Sequence, residues 1–452
     1  MKDLALLQIQ MRDLAGFAQT QHQILEIKPN LKVSWLAFAL GKHMKGDGKG
    51  AIAIIDTFLS TLENGSVDLQ KSYETSELAL YKNSIIAENG NWKEALDHLH
   101  ECKKKDILVD QLSYLKLSGY YQLQLKLYNL AKESFFNLLE RGSTEDYSVH
   151  TGYMLSILNI DGEVSRTMLK RKGARALSSM LVLSNDQQKT LKEAYQNVLI
   201  ERFPKSIATK RIMLTLFDVD SEDWNTSVNA YIRASLIRGV PSLGDDLSSF
   251  FIIPATSSNK NEYAIAKDAV DVKSHVAYKS IAALVDTVIA SLESTSMFPG
   301  DDDVQPPSTL LWTWYLRSVL YEKAGDYSNA IAVVDKGLDQ TPTGVDLYEL
   351  KARLLKSAGD INAAVKCVDT GRELDKQDRY INNQTTKYLL QANKEVEALE
   401  TIALFARHES DPEQNIFDMQ VTWYELELAA CLARKGYFGK SLKKYCKCAS
   451  YP

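Results

Sequence analysis

No stretch of this chain approaches the run of about 18 apolar residues that a membrane-crossing helix needs, so none is expected. The N-terminus, MKDLALLQIQMRDL, lacks the apolar core of a signal peptide, because Gln8, Gln10 and Arg12 interrupt it. Cysteine is scarce and irregular: Cys102, Cys367, Cys431, Cys446 and Cys448 are the five in 452 residues. An odd, scattered set excludes a disulfide framework and fits reduced thiols in a cytoplasmic protein. Positive charge is not in excess either. Lys and Arg number 53 against 58 Asp and Glu, for a net charge of −5, which argues against a generic nucleic-acid binder. Neither Gly-x-Ser-x-Gly nor His-Glu-x-x-His occurs, so the common serine-hydrolase and zinc-protease signatures are missing.

What is present is a period. Gly325 and Gly359 stand 34 residues apart, as do Ala330 and Ala364, Val334 and Val368, Gly337 and Gly371, and Ser318 and Ala352. Ala398 extends the step by another 34 residues beyond Ala364. A helix–turn–helix pattern with this period is the tetratricopeptide signature. The small residues Ser318 and Ala352 let the first helix of each copy approach its partner, and Ala330 and Ala364 do the same from the second helix. Gly325 and Gly359 fall at the turn, where a residue without Cβ is cheapest. Pro342 closes the first copy, because a helix cannot continue through it. The predicted fold is an all-α, tetratricopeptide-type helix–turn–helix solenoid winding as a right-handed superhelix.

The same step begins near the start of the chain, where Ala5 and Ala39, and Ile24 and Phe58, are 34 residues apart. Paired helices are predicted over 3–27, 33–62, 76–104 and 110–140, with a longer loop near 64–71. Beyond Arg141 the period fades, although helical patterning continues over 149–158, 186–201, 206–217 and 224–237. Segments 240–262 and 292–308 read as loops, being rich in Pro, Gly, Ser and Asp, with a helix over 265–292 between them. The last pair, 419–446, is displaced by extra residues over 411–417. The expected organisation is therefore 1–145, N-terminal repeats; 146–300, degenerate helical repeats with irregular loops; and 301–452, C-terminal repeats. Neither end carries the polar cap a solenoid normally needs, so the array is expected to extend further in both directions.

Candidate chemical motifs are weak. Gly46-Asp47-Gly48-Lys49-Gly50 lacks phosphate-loop spacing and falls at an inter-helix turn. His98 and His100 lie two apart, on different helix faces, and read as solvated. Cys446-Lys447-Cys448 lacks a second ligand pair. No metal site is expected. Two basic clusters stand out: Lys170-Arg171-Lys172 with Arg175, and the run Arg434, Lys435, Lys440, Lys443, Lys444 and Lys447, which has no acid among its own residues from 434 onward. Lys376, Arg379, Lys387 and Lys394 lie close to the latter in the array. Stacked repeats bring such groups onto one electropositive surface, suited to ribosomal RNA or a small polyphosphate.

Several strings are more specific than the repeat consensus. Leu6-Leu7-Gln8-Ile9-Gln10-Met11-Arg12-Asp13-Leu14, Glu94-Ala95-Leu96-Asp97-His98-Leu99, Pro306-Pro307-Ser308-Thr309-Leu310-Leu311-Trp312 and Asp378-Arg379-Tyr380-Ile381-Asn382 resemble the auxiliary subunit of the NatA N-terminal acetyltransferase complex. The resemblance runs nearly end to end and is weakest over 145–300. It implies a non-catalytic scaffold that wraps the catalytic acetyltransferase subunit, adapts its active site to Ser, Ala, Thr and Gly N-termini and docks it on the ribosome. The chain has no Arg/Gln-x-x-Gly-x-Gly/Ala loop for acetyl-CoA, so no intrinsic cofactor is expected. In that family inositol hexakisphosphate sits at the subunit interface, and Lys376, Arg379, Tyr380, Lys387 and Arg434 occupy the matching region. Gln391 departs from the family's expected Lys. The competing reading is a generic tetratricopeptide adaptor of co-chaperone type, but no two-carboxylate clamp of Lys and Asn spans adjacent repeats.

Overall fold

A computed structural model describes residues 1–64, 73–160, 183–219, 221–251, 272–407 and 411–449. Among these residues the regular structure is helical, and the only β pairing is an isolated antiparallel bridge between Met297 and Val304. The contacts divide the chain into two compact units, Met1–Phe217 and Asp218–Pro452. They part inside the 146–300 segment that the sequence sets off as irregular.

The first unit opens with four helical hairpins: α1 (Lys2–Gln10) with α2 (Leu14–Ile27), α3 (Lys32–Met44) with α4 (Gly48–Asn64), α5 (Tyr73–Glu88) with α6 (Trp92–Lys104), and α7 (Gln111–Gln124) with α8 (Tyr128–Glu140). Then come α9 (Tyr147–Leu158), α10 (Asn185–Ala194), which runs on through a π-helical turn at Tyr195–Leu199 to Arg202, and α11 (Ile207–Leu216). Phe135 fixes how α7, α8 and α9 meet. A Cβ on Gly152 would fall 2.3 Å from its ring, and one on Gly119 3.0 Å. The Phe135 ring is thus seated against two glycines.

The second unit contains α12 (Glu222–Arg238), α13 (Leu243–Ser248), α14 (Val276–Thr295), α15 (Pro307–Lys323), α16 (Tyr327–Gln340), α17 (Val345–Ser357), α18 (Ile361–Leu374), α19 (Arg379–Gln391), α20 (Glu395–Ala403), α21 (Pro412–Asp418), α22 (Thr422–Arg434) and α23 (Phe438–Ala449). The helix predicted from 265 begins at Val276, and residues 252–271 lie outside the described part. The extra residues before the last hairpin form α21, a short helix of their own.

The period has a local cause. Gly325 and Gly359 have φ of +71° and +97°, a region where a Cβ would be strained. Each closes a Schellman turn: Gly325 N–H donates to Glu322 O at 2.9 Å and Asp326 N–H to Tyr321 O at 2.9 Å, repeated by Gly359 to Lys356 O and Asp360 to Leu355 O. The aspartate after each glycine caps the following helix, Asp360 accepting from Ala363 N–H at 2.9 Å. Two residues therefore end one helix and start the next. The small residues then set the helix separation. Ser318, Ala330, Ala352 and Ala364 have no exposed surface, and Ser318 Oγ donates to Ala330 O at 2.8 Å across the hairpin. Asn83 to Ala95 O in the third hairpin and Ser441 to Ala429 O in the last make the same cross-hairpin kind of bond.

Apolar burial follows the stack. One cluster joins Val319, Ala330, Val334, Leu347, Leu350 and Leu354. The next joins Ala352, Ala364, Val368, Leu389, Leu390 and Tyr424. Each cluster runs through consecutive repeats, in keeping with stabilisation passed from neighbour to neighbour. Replacing Ala330 or Ala364 by Leu should cost about 1–3 kcal/mol, since the contact has no room for added methylenes. Chemical denaturation of each variant checks this, and unchanged midpoints in both would contradict the register.

Candidate interaction surface

The first helices of successive repeats in the second unit lie side by side and present polar residues in register. Arg353 Nε and Nη2 on α17 grip Glu322 on α15 at 2.8 and 3.1 Å. Tyr380 Oη on α19 donates to Glu349 on α17 at 2.7 Å. Arg317 on α15 holds Asp286 on α14 at 2.7 and 2.9 Å. Each pair is separated by 31 residues, which is one repeat less about one helical turn. The residues thus meet across neighbouring helices, one turn out of step. Burial by itself would lower the Arg353 pKa, but the bonds to Glu322 outweigh it and raise it above the ordinary range. Burial, aided by the bond to Glu349, pushes the Tyr380 phenol up to about 12, so it stays a donor.

The five candidate polyphosphate residues are distributed along α19. Asp378 caps that helix by accepting from Tyr380 N–H at 2.7 Å. Arg379 is exposed at its first turn, with the guanidinium 5.4 Å from the Phe405 ring centroid. Lys376, in the preceding loop, pairs with Glu373 at 2.8 Å. Lys387 lies two turns further on, its ammonium 4.0 Å from Glu427. Arg434 belongs to α22 but reaches the far end of α19, donating to Leu390 O and Asn393 Oδ1, both at 2.8 Å. Position 379 and Leu390 are about 16 Å apart along the helix axis, so the five are spread along a helix. Lys356, which the sequence reading did not select, joins Lys387. It lies 5.0 Å over the Tyr388 ring, and burial first, then repulsion from Lys387, lowers its pKa. Gln391, at the position where the family expects Lys, donates to Glu427 at 3.1 Å.

Two sequence expectations need correction. The C-terminal cations are not without acids, because earlier elements supply them. Lys435 pairs with Glu395 on α20. Lys444 meets Glu413 on α21 at 2.6 Å and the fully buried Glu425 on α22 at 3.1 Å. Burial would lower the Lys444 pKa, yet the bonds to Glu413 and Glu425 hold it above the ordinary lysine value. Nor is His98 solvated. Its Nδ1 stands 3.3 Å from Asn83 Nδ2 and its Nε2 3.7 Å from Cys102 Sγ. Tyr121 Oη and Ala95 O fix the orientation of the Asn83 amide at 2.6 Å each. Nδ1 must therefore accept, and burial lowers the His98 pKa. Among the described residues no set of three His, Cys, Asp or Glu could hold a metal ion. No described helix is long and apolar enough to cross a membrane. Gly46 and Asp47 form the turn and Gly48–Gly50 begin α4, with the Asp47 carboxylate accepting from Gly50 N–H at 2.9 Å. The cluster at 170–175 lies outside the described residues.

Comparison with known proteins decides the family. The family profile described as N-terminal acetyltransferase A, auxiliary subunit, matches residues 73–451. The chain belongs to this family. The auxiliary subunit NAA15 of the N-terminal acetyltransferase A complex from Arabidopsis thaliana is 34% identical over 448 residues, covering 98% of this chain and 45% of that protein. The human N-alpha-acetyltransferase 16, NatA auxiliary subunit, is 28% identical over 446 residues, with the same coverages. The solved structure of Naa15/Naa10 bound to HypK-THB contains a chain similar over 99% of this one, with TM-score 0.76 and 28% identity. This member of the NatA auxiliary-subunit family spans a little under half the length of those two curated relatives and 59% of that solved chain.

The half-buried His98, whose pKa burial lowers, makes the first unit sensitive to acid. A histidine whose folded pKa is depressed contributes stability that is complete above its ordinary value of 6.5 and lost as the pH falls towards its folded pKa. The melting temperature of the protein should drop as the pH is taken below 6.5, and less steeply in His98→Gln. Identical pH profiles for the two proteins would contradict this environment.

Proposed function

We propose that the chain is a scaffold, without catalytic activity of its own, that binds and activates the catalytic subunit of the NatA N-terminal acetyltransferase. In this reading it holds that subunit at the ribosome in the cytoplasm, for co-translational acetylation of Ser, Ala, Thr and Gly N-termini. The observation that carries the proposal is the similarity over 99% of the chain, at TM-score 0.76, to a chain from the Naa15/Naa10 structure. The side-by-side first helices α15, α17, α19 and α22 support it physically. Their cross-repeat pairs hold charged side chains in fixed positions along a helical face, which favours a specific rigid partner over a flexible one. Lys376, Arg379, Tyr380, Lys387 and Arg434 would hold inositol hexakisphosphate between this face and the catalytic subunit. Arg379 presents an exposed guanidinium fork with no carboxylate in ion-pair distance among the described residues. Basic patches would contact ribosomal RNA.

The test uses the purified chain, the catalytic subunit and their mixture, with a Ser-starting peptide and acetyl-CoA. The chain alone should show no turnover, and the mixture should exceed the catalytic subunit alone. Turnover by the chain alone, or no enhancement in the mixture, would contradict the scaffold reading. In the complex, inositol hexakisphosphate at fixed salt should raise the melting temperature by mass action, but not with Arg379→Glu. Equal shifts in both proteins would remove Arg379 from the site.

A further inference from the structure

Helices α20, α21, α22 and α23 of the last repeats line a groove. It has a volume of about 460 Å3. One wall is α23, which turns Lys440, Lys443, Lys444 and Lys447 into it. That spacing of three, four and seven places them on a single helix face. The floor is apolar: Val396 and Leu399 from α20, and Leu428 and Leu432 from α22. Val396 is 65% exposed. Glu395 and Glu413 complete the rim.

The charges in this groove are not equivalent. Lys444 is committed to Glu413 and Glu425, and so fastens α23 to α21 and α22. Glu395 is committed to Lys435. Lys440 and Lys443 have no carboxylate within ion-pair distance among the described residues; the Lys440 ammonium lies 5.3 Å over the Tyr437 ring. The groove therefore joins an aliphatic floor, of which Val396 is exposed, to a wall on which Lys440 and Lys443 carry uncommitted positive charge. A phosphate backbone would match the lysines but not the aliphatic floor, and it would face Glu395 and Glu413. An amphipathic helix with an apolar stripe and acidic flanks matches both features.

We propose that this groove docks an acidic amphipathic helix of a partner protein, with aliphatic side chains on Val396 and Leu399 and carboxylates on Lys440 and Lys443. This proposal does not depend on the scaffold role given above.

The test measures fluorescence anisotropy of labelled synthetic peptides against the full chain at fixed salt. The probe is an amphipathic helix of about five turns, with Leu at three- and four-residue spacing and Glu on its flanks. Three controls replace Glu by Lys, replace Leu by Ser, or substitute a single-stranded RNA oligomer. The Leu/Glu peptide should bind saturably and the two altered peptides at least about tenfold more weakly. Lys440→Glu with Lys443→Glu should weaken binding by about tenfold or more, and so should Val396→Asp. All three positions lie on the surface, so unchanged circular dichroism melting shows that the variants are folded. Failure of the Leu/Glu peptide to bind, equal binding by the variants, or binding of RNA alone through Lys440 and Lys443 would overturn the proposal. Because no catalytic subunit is present, the result is independent of the scaffold test.

Discussion

The second unit depends on how closely paired helices approach at Ser318 and Ala330, and at Ala352 and Ala364. All four side chains are fully buried, and Ser318 donates directly to the Ala330 carbonyl. That approach leaves no space for a larger residue and fixes the thickness of each hairpin. Fixed thickness sets the distance between the first helices of neighbouring repeats. Only at that distance does Arg353 reach Glu322 with two bonds and Tyr380 reach Glu349 with one. The polar face is thus a consequence of the small residues behind it.

This ordering explains why the two faces differ. Pairs such as Arg353 with Glu322 fix the positions of groups on one side, so that side is suited to a rigid partner. At the last repeat α21 is inserted before the final hairpin, and Lys444 reaches back from α23 to Glu413 and Glu425. The groove beside it keeps lysines without carboxylate partners over an exposed valine. A buried pair such as Lys444 with Glu425 contributes little net stability, but removing one partner leaves the other charge unpaired and costs several kcal/mol, about 3–5 in buried examples. It therefore acts as a fastener for the position of α23.

Much of the fold was legible because its causes are local. Gly325-Asp326 and Gly359-Asp360 each end one helix and cap the next, so the period appears directly in the residue order. The family was legible in strings such as Asp378-Arg379-Tyr380. The site was less so. Sequence counts of acids near Arg434 could not see Glu395, Glu413 and Glu425, which arrive from earlier helices. His98 looked solvated because its burial depends on Asn83 and Tyr121, 15 and 23 residues away. The 31-residue offset of Glu322 with Arg353 and Glu349 with Tyr380 was a readable signal, since it equals the period less one helical turn. It becomes meaningful only once the first helices are known to be neighbours.

The central claim is that small-residue contacts position the polar face through nearest neighbours. Native-state hydrogen exchange of Ala352→Leu tests it most directly. Protection should be lost first in α17, α18 and the adjoining parts of α15 and α19, with the hairpin α22–α23 still protected. Simultaneous loss across α15 to α23, or no change around α17, would contradict it.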